Sequence, residues 1–363
     1  MYRLNQFFLT MCVLASIAAT PTEAPAQSQP IKIGFFLPGT STARYDTKDR
    51  PFFEAKLASI CPNCQLIYGN AANADVNDQL NAAEAAIANG AKVITIMAVD
   101  TKAAAVIADK AKAAGIPIVS YSRLLENSSG VTVNLAFNVQ DYGQRQAQGL
   151  IDALNAKGIA NPKIVQILGA ATDSNVPVME TGHMKVFQPL IDAGKLTILK
   201  TVNTPDWDPS KAQTETQQII TETGGKIDGV LSENDGLAGG IIQAFKAAGI
   251  SPVPPVIGGD CDLAAIQRIV AGEQYGSGYL PIKTIAEDAA QISYGLATTG
   301  QVPAGMVTGT TNNGSIDVPT VFIPVGFVTI GNINSTIIAD SVWTVADICT
   351  AEYAKACAAA GIK

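Results

Sequence analysis

Side chains able to grip hydroxyl groups recur just beyond the ends of predicted strands, at points far apart in the chain. Arg44 and Tyr45 follow a strand predicted over 31–37, and Ser122 and Arg123 follow one over 118–121. Asp173 and Asn175 lie past a strand over 163–168, and Trp207 past one over 196–202. Asn234 and Asp235 come after 229–232, and Asp260 and Asp262 after 256–257. Open α/β sheets place their ligands at the carboxyl ends of the strands. An Asp accepts from two hydroxyls, an Arg donates to two, and an Asn does one of each. Tyr45 and Trp207 add aromatic faces on which C–H patches can pack. Together these types suit a sugar.

Enzyme chemistry has fewer handles. His183 is the only histidine, which excludes His-rich metal sites, and it falls in a predicted helix beside Lys185, where a surface position is expected. Gly34 to Gly39 reads GFFLPG rather than G-x-G-x-x-G, and no G-x-x-x-x-G-K-[ST] occurs, so nucleotide cofactors lack their usual cradle. Paired carboxylates such as Asp173 and Asp260 leave a carbohydrate-active enzyme as the alternative. No metal and no cofactor is expected.

The elements that must position these residues alternate. Short apolar runs over 31–37, 65–68, 93–97 and 118–121 are separated by helical periods near 48–60, 75–89 and 101–114. A second series has strands over 163–168, 196–202, 229–232, 256–257 and 274–279, with helices near 140–157, 177–193, 209–223, 236–248 and 262–271. Another helix is predicted at 282–298, before a Gly/Thr/Asn-rich stretch from Gly305 to Gly314. This is the α/β class, with two doubly wound parallel-sheet lobes joined by short crossings, the first near Phe137.

Residues 1–26 have the layout of a signal peptide: Arg3, an apolar run from Phe7 to Ala19, then Ala24-Pro25-Ala26. Met11 before Cys12 fits a lipoprotein signal poorly. Export and an extracytoplasmic setting follow. The net charge of -7, without a basic run, argues against nucleic acid. In an oxidising compartment Cys61 and Cys64 form a structural clip. Cys349 and Cys357 would stand about 12 Å apart on a continuous helix, so they can pair only if the chain turns between them. Cys261 is then a buried free thiol.

Several long segments carry a resemblance: KIGF at 32–35, SYSRLL at 120–125, SENDGLAGGIIQA at 232–244, CDLAAIQRIVAG at 261–272 and TTNNGSIDVP at 310–319. Through them the chain resembles the periplasmic D-xylose-binding proteins, type I sugar-binding proteins of ABC importers. The resemblance implies a monosaccharide held between two lobes by Arg44, Tyr45, Arg123, Asp173, Asn175, Trp207, Asn234 and Asp260, with Tyr45 standing where the family has a tryptophan. Ser122 replaces an aspartate and Leu280 a lysine of that pattern, which leaves the sugar open among xylose and related pentoses or hexoses. Expected lobes are 31–137 with 281–320 and 138–280 with 321–345, followed by a tail at 346–363. The expected partner is an ABC permease, the protein is expected to be a monomer without catalysis, and a chemoreceptor could be a second partner. A repressor of the same fold would need a basic helix-turn-helix where the signal peptide stands.

Overall fold

Buried apolar runs decide the architecture. The computed structural model describes residues 1–2, 30–71 and 74–362. The expected signal peptide, with Arg3 and Cys12, lies almost wholly outside the described residues. Ile31–Lys363 form one compact unit. Strand β1 (Lys32–Leu37) is KIGFFL, with everything after Lys32 buried, as a strand covered on both faces by helices must be. It sits between β2 (Gln65–Asn70) and β3 (Val93–Ile96), followed by β4 (Ile118–Tyr121) and β5 (Val131–Phe137), all parallel. Helices α1 (Arg50–Ile60), α2 (Val76–Ala88) and α3 (Ala105–Ala113) connect them. Asp75 accepts from the backbone N–H groups of Asn77 and Asp78 and so starts α2.

A second sheet follows. The chain runs through α4 (Val139–Ala156), β6 (Lys163–Leu168), α5 (Asn175–Asp192), β7 (Thr197–Asn203) and α6 (Pro209–Thr223). It continues with β8 (Gly229–Ser232), α7 (Asp235–Ala247), β9 (Val256–Gly259), α8 (Leu263–Val270) and β10 (Gly276–Tyr279). From there α9 (Ile282–Thr299) returns to pack on α1, and Ser293 meets Thr95 of β3 through a buried 2.6 Å hydroxyl contact. Hairpin strands β11 (Gly309–Asn312) and β12 (Asp317–Ile323) extend the first sheet, while β13 (Gly326–Thr329) pairs antiparallel with β10 in the second. The sheet orders are β11-β12-β5-β4-β3-β1-β2 and β13-β10-β9-β8-β6-β7. Chain passes between the sheets three times, after β5, β10 and β12.

Four strands were not anticipated. Strand β5 reads VTVNLAF and is almost wholly buried despite Thr132 and Asn134, and β11 to β13 arise from the Gly/Thr/Asn-rich stretch and the segment after it. Strands β5 and β12 pair with each other across more than a hundred residues and β13 pairs with β10, and local periodicity carries no trace of such partners.

The tail turns as the cysteine spacing requires. Helix α10 (Val345–Ile348) ends at Cys349, a turn intervenes, and α11 (Ala354–Ala360) brings Cys357 back to a disulfide at a Cα separation of 5.9 Å. Cys61 and Cys64 are also bonded, and Cys261 is free and buried. Before α10, Trp343 donates through Nε1 to the carbonyl of Cys261 at 2.8 Å. Lys48, which precedes α1, places its ammonium 3.4 Å from the centre of the Trp343 ring and donates to the carbonyl of Val342.

His183 corrects the expectation of a surface histidine, because it is completely buried on α5 against α4. Gly182 beside it lets the two helices touch, since a Cβ there would lie 2.2 Å from the carbonyl oxygen of Gln140. Gln146 Nε2 donates to the carbonyls of Glu233 and Gly258, which fixes the amide so that its Oε1 faces His183 Nε2 at 3.3 Å. The imidazole is therefore the Nε2–H tautomer, with Nδ1 buried and unpaired. Burial lowers its pKa to about 3. An unfolded chain protonates this histidine below about pH 6.5 and the folded one does not, so its contribution is present above that pH and is lost as pH falls toward 3. Denaturant titrations of wild type and His183→Gln between pH 7 and pH 4 should show wild type losing up to about 1.4 kcal/mol more per pH unit below pH 6. A difference that stays constant with pH would refute this assignment.

Candidate functional site

Loops at the carboxyl ends of both sheets enclose a cavity of about 60 Å³. All eight residues singled out from the sequence as a sugar ring line it: Arg44, Tyr45, Arg123, Asp173, Asn175, Trp207, Asn234 and Asp260. Ser122 and Leu280, the two departures from the resemblance, line it as well. Asp235 and Asp262 stand behind Asp260, where Asp235 accepts from the backbone N–H of Asp262 at 3.0 Å.

Two arginines organise the walls. Arg44 forms a buried bidentate pair with Asp49, both contacts at 2.9 Å, and reaches Asp260 of the second lobe at 3.4 Å. Burial opposes its charge, but Asp49 and Asp260 hold its pKa well above the ordinary value. Arg123 gives Nε to Asp173 at 2.7 Å, Nη1 to the carbonyl of Ala98 at 2.8 Å, and Nη2 to the Tyr45 hydroxyl at 2.9 Å. Asn175 answers from the second lobe, donating Nδ2 to the carbonyl of Ser122 at 2.9 Å. Its backbone N–H donates to the other oxygen of Asp173.

Cavity residues also carry unusual backbone. Ser122, Trp207 and Asp260 all have positive φ, at 64°, 55° and 89°, a region that costs non-glycine residues about 1–3 kcal/mol and persists where surrounding structure enforces it. The Trp207 ring lies against Gly169, where a Cβ would meet the ring at 2.1 Å, so only glycine admits the plate. Asn234 caps α7 with Oδ1, which accepts from the N–H of Leu237 at 2.9 Å, and this turns its amide nitrogen to the cavity as a donor. Burial pushes the pKa of Asp260 up, with Arg44 opposing, and that of Asp262 well up, with Asp235 and Asp260 adding to it.

Sequence reasoning missed several lining residues. Met97, Phe137, Val139 and Met179 give the cavity an apolar side, and Thr42, Tyr142 and Glu233 add polar groups. Glu233 directly precedes Asn234 at the end of β8, and an acid closing so short and apolar a strand was a signal to be read.

The sequence pattern of the periplasmic binding protein domain matches residues 33–301. A D-xylose-binding periplasmic protein of Escherichia coli (strain K12) is 30% identical over 338 residues, 93% of this chain and 97% of that protein. The chain belongs to the periplasmic binding protein family. As a family member it also resembles a multiple sugar-binding periplasmic receptor of Rhizobium radiobacter, at 29% identity over 86% of this chain and 90% of the receptor. Among solved structures, a carbohydrate transporter solute binding protein from Chloroflexus aurantiacus in complex with D-glucose matches with a TM-score of 0.80 at 28% identity. That match covers 88% of this chain and 98% of the other. The two-lobed α/β fold expected from the resemblance is thereby borne out, and these relatives of the binding protein are sugar-binding transport proteins, not enzymes.

Asp49 is fully buried and accepts from Arg44 twice and from the Tyr121 hydroxyl. Removing one partner of such a pair strands the other charge, so Asp49→Ala should lower the unfolding free energy of the ligand-free binding protein by about 3–5 kcal/mol. Urea denaturation measures it, and a loss below about 1 kcal/mol would show that Arg44 is held by other means.

Proposed function

We propose that this chain is the extracytoplasmic substrate-binding protein of an ABC sugar importer, and that it captures a monosaccharide, xylose or a related pentose or hexose, between its two lobes by hinge closure. The observation that carries the reading is the cavity itself. Eight hydroxyl-binding or ring-stacking residues converge on it from the carboxyl edges of two separate sheets, and Arg123 and Asp173 meet across it.

The lobes are 31–137 with 281–323 and 138–280 with 324–345, with 346–363 as a tail; the boundary expected at 320 moves to 323 because β12 pairs with β5 of the first sheet as far as Ile323. Sugar first meets one lobe, and contacts from the second favour the closed form by their differential affinity. Arg44, Arg123, Asp173, Asn175, Asn234 and Asp260 hold hydroxyls, and Trp207 and Tyr45 flank the ring. Leu280 in place of a lysine and Ser122 in place of an aspartate remove charged contacts, so the preferred sugar differs in at least one hydroxyl partner from that of the xylose-binding relatives. The chain works as a monomer exported by the signal peptide at 1–26, and it delivers sugar to a membrane permease without altering it. Both carboxylates that a glycosidase would need, Asp173 and Asp260, face arginines, an arrangement suited to holding a neutral sugar rather than to proton transfer.

A thermal-shift and calorimetry panel of pentoses, hexoses and polyols tests this. At a hundredfold excess over Kd a true ligand stabilises by about 2.7 kcal/mol, which raises the melting temperature by several degrees. Small-angle scattering should show a smaller radius of gyration with that sugar, and the sugar recovered afterwards should be unchanged. A panel in which every sugar leaves the melting temperature where it was, or a recovered product that differs from the input, would sink the reading.

A further inference from the structure

Among the described residues, seven side chains bury a polar atom without a partner, and three of them line the same cavity: Thr42 Oγ1, Trp207 Nε1 and Glu233 Oε1. Unpaired buried polar atoms are rare in folded proteins, and their gathering at one place calls for an explanation. A ligand that brings hydroxyls into the cavity supplies one.

Glu233 is the most telling of the three. Its Oε2 accepts from the backbone N–H of Gly169 at 2.6 Å, and Gly169 is the residue against which the Trp207 ring lies. The other oxygen is sealed from solvent and meets nothing. Two other buried carboxylates here pair both of their oxygens: Asp49 uses both on Arg44, and Asp173 uses one on Arg123 and one on the backbone N–H of Asn175.

Building on the sugar-binding reading, we propose that Glu233 is a specificity-determining contact whose free Oε1 holds one hydroxyl of the bound monosaccharide, alongside Trp207 Nε1. Burial pushes the pKa of the Glu233 carboxyl well up, the Gly169 N–H opposes this, and the charges of Asp173 and Glu180 add to it. A raised pKa favours the protonated form, in which Oε1 can donate while Oε2 keeps its bond from Gly169. That distinguishes it from Asp173 and Asp260, which face arginines and offer acceptors. One sugar oxygen can thus receive a hydrogen bond at a place where an ionised carboxylate would give none.

The test uses the best monosaccharide from the panel, its monodeoxy analogues, and the full-length variants Glu233→Leu and Glu233→Gln. Calorimetry should show Glu233→Leu weakening the parent sugar about ten- to a hundredfold while leaving the Kd of one particular monodeoxy analogue as in wild type. Glu233→Gln, which keeps both a donor and an acceptor, should stay within about threefold of wild type for the parent. Equal losses across all analogues would mean that Glu233 only braces the Gly169 loop, and no loss at all would remove it from the site; either result overturns the inference while leaving the sugar-binding reading intact. If Glu233→Leu does not fold, Glu233→Ala is measured against the same analogues in its place, and equal losses across all of them overturn the inference. Wild type that binds no monosaccharide would sink both.

Discussion

Arg123 ties more parts of the cavity wall together than its neighbours Arg44 and Asn175 do. Its guanidinium joins the end of β3 through Ala98, the aromatic ring of Tyr45, and Asp173 of the opposite lobe, all within 2.7 to 2.9 Å. Planar donors in a fixed fork cannot satisfy three such partners unless the loops after β1, β3, β4 and β6 sit in one relative arrangement. The cavity walls are thus specified together. The pair with Asp173 is buried on both sides, so the same contact that shapes the cavity also sets a cost on separating the lobes without something to replace it.

The second lobe meets this demand with backbone rather than with bulk. Asp260 and Trp207 are aimed by positive φ angles at the ends of β9 and β7, and Asn234 is aimed by its own capping bond to α7. The positive φ angles fix direction at the expense of local stability, the capping bond of Asn234 fixes it while stabilising α7, and each stands at a helix start or just past a strand end. Rigid elements behind strained tips are how a fold holds polar groups at a cavity wall.

Much of this was legible in the sequence, and the limits have identifiable causes. The strands over 118–121, 163–168 and 229–232 stand where the apolar runs put them, because buried parallel strands write themselves as continuous hydrophobic segments. The ring residues could be chosen because strand ends are predictable and bidentate types are few. What escaped depends on partners distant in sequence: β5 and β11 to β13 need the first sheet or β10 to exist, and the burial of His183 needs Gly182 and Gln146 to bring two helices into contact. Glu233 left only its type and place as a signal, an acid closing a short apolar strand; that one of its oxygens is buried without a partner comes from packing, which no sequence pattern records.

The chain holds only two tryptophans, and they occupy opposite ends of one structural relay. Trp207 forms a wall of the cavity, while Trp343 bonds to the carbonyl of Cys261, next to Asp260, and turns its face to the ammonium of Lys48 from the other lobe. Indole emission responds to a nearby charge, so the two fluorophores report on different surroundings: one on the cavity wall, the other on the ammonium of Lys48. The natural emission of this chain is therefore a two-channel optical signal, separable by replacing either indole with phenylalanine, without any attached dye.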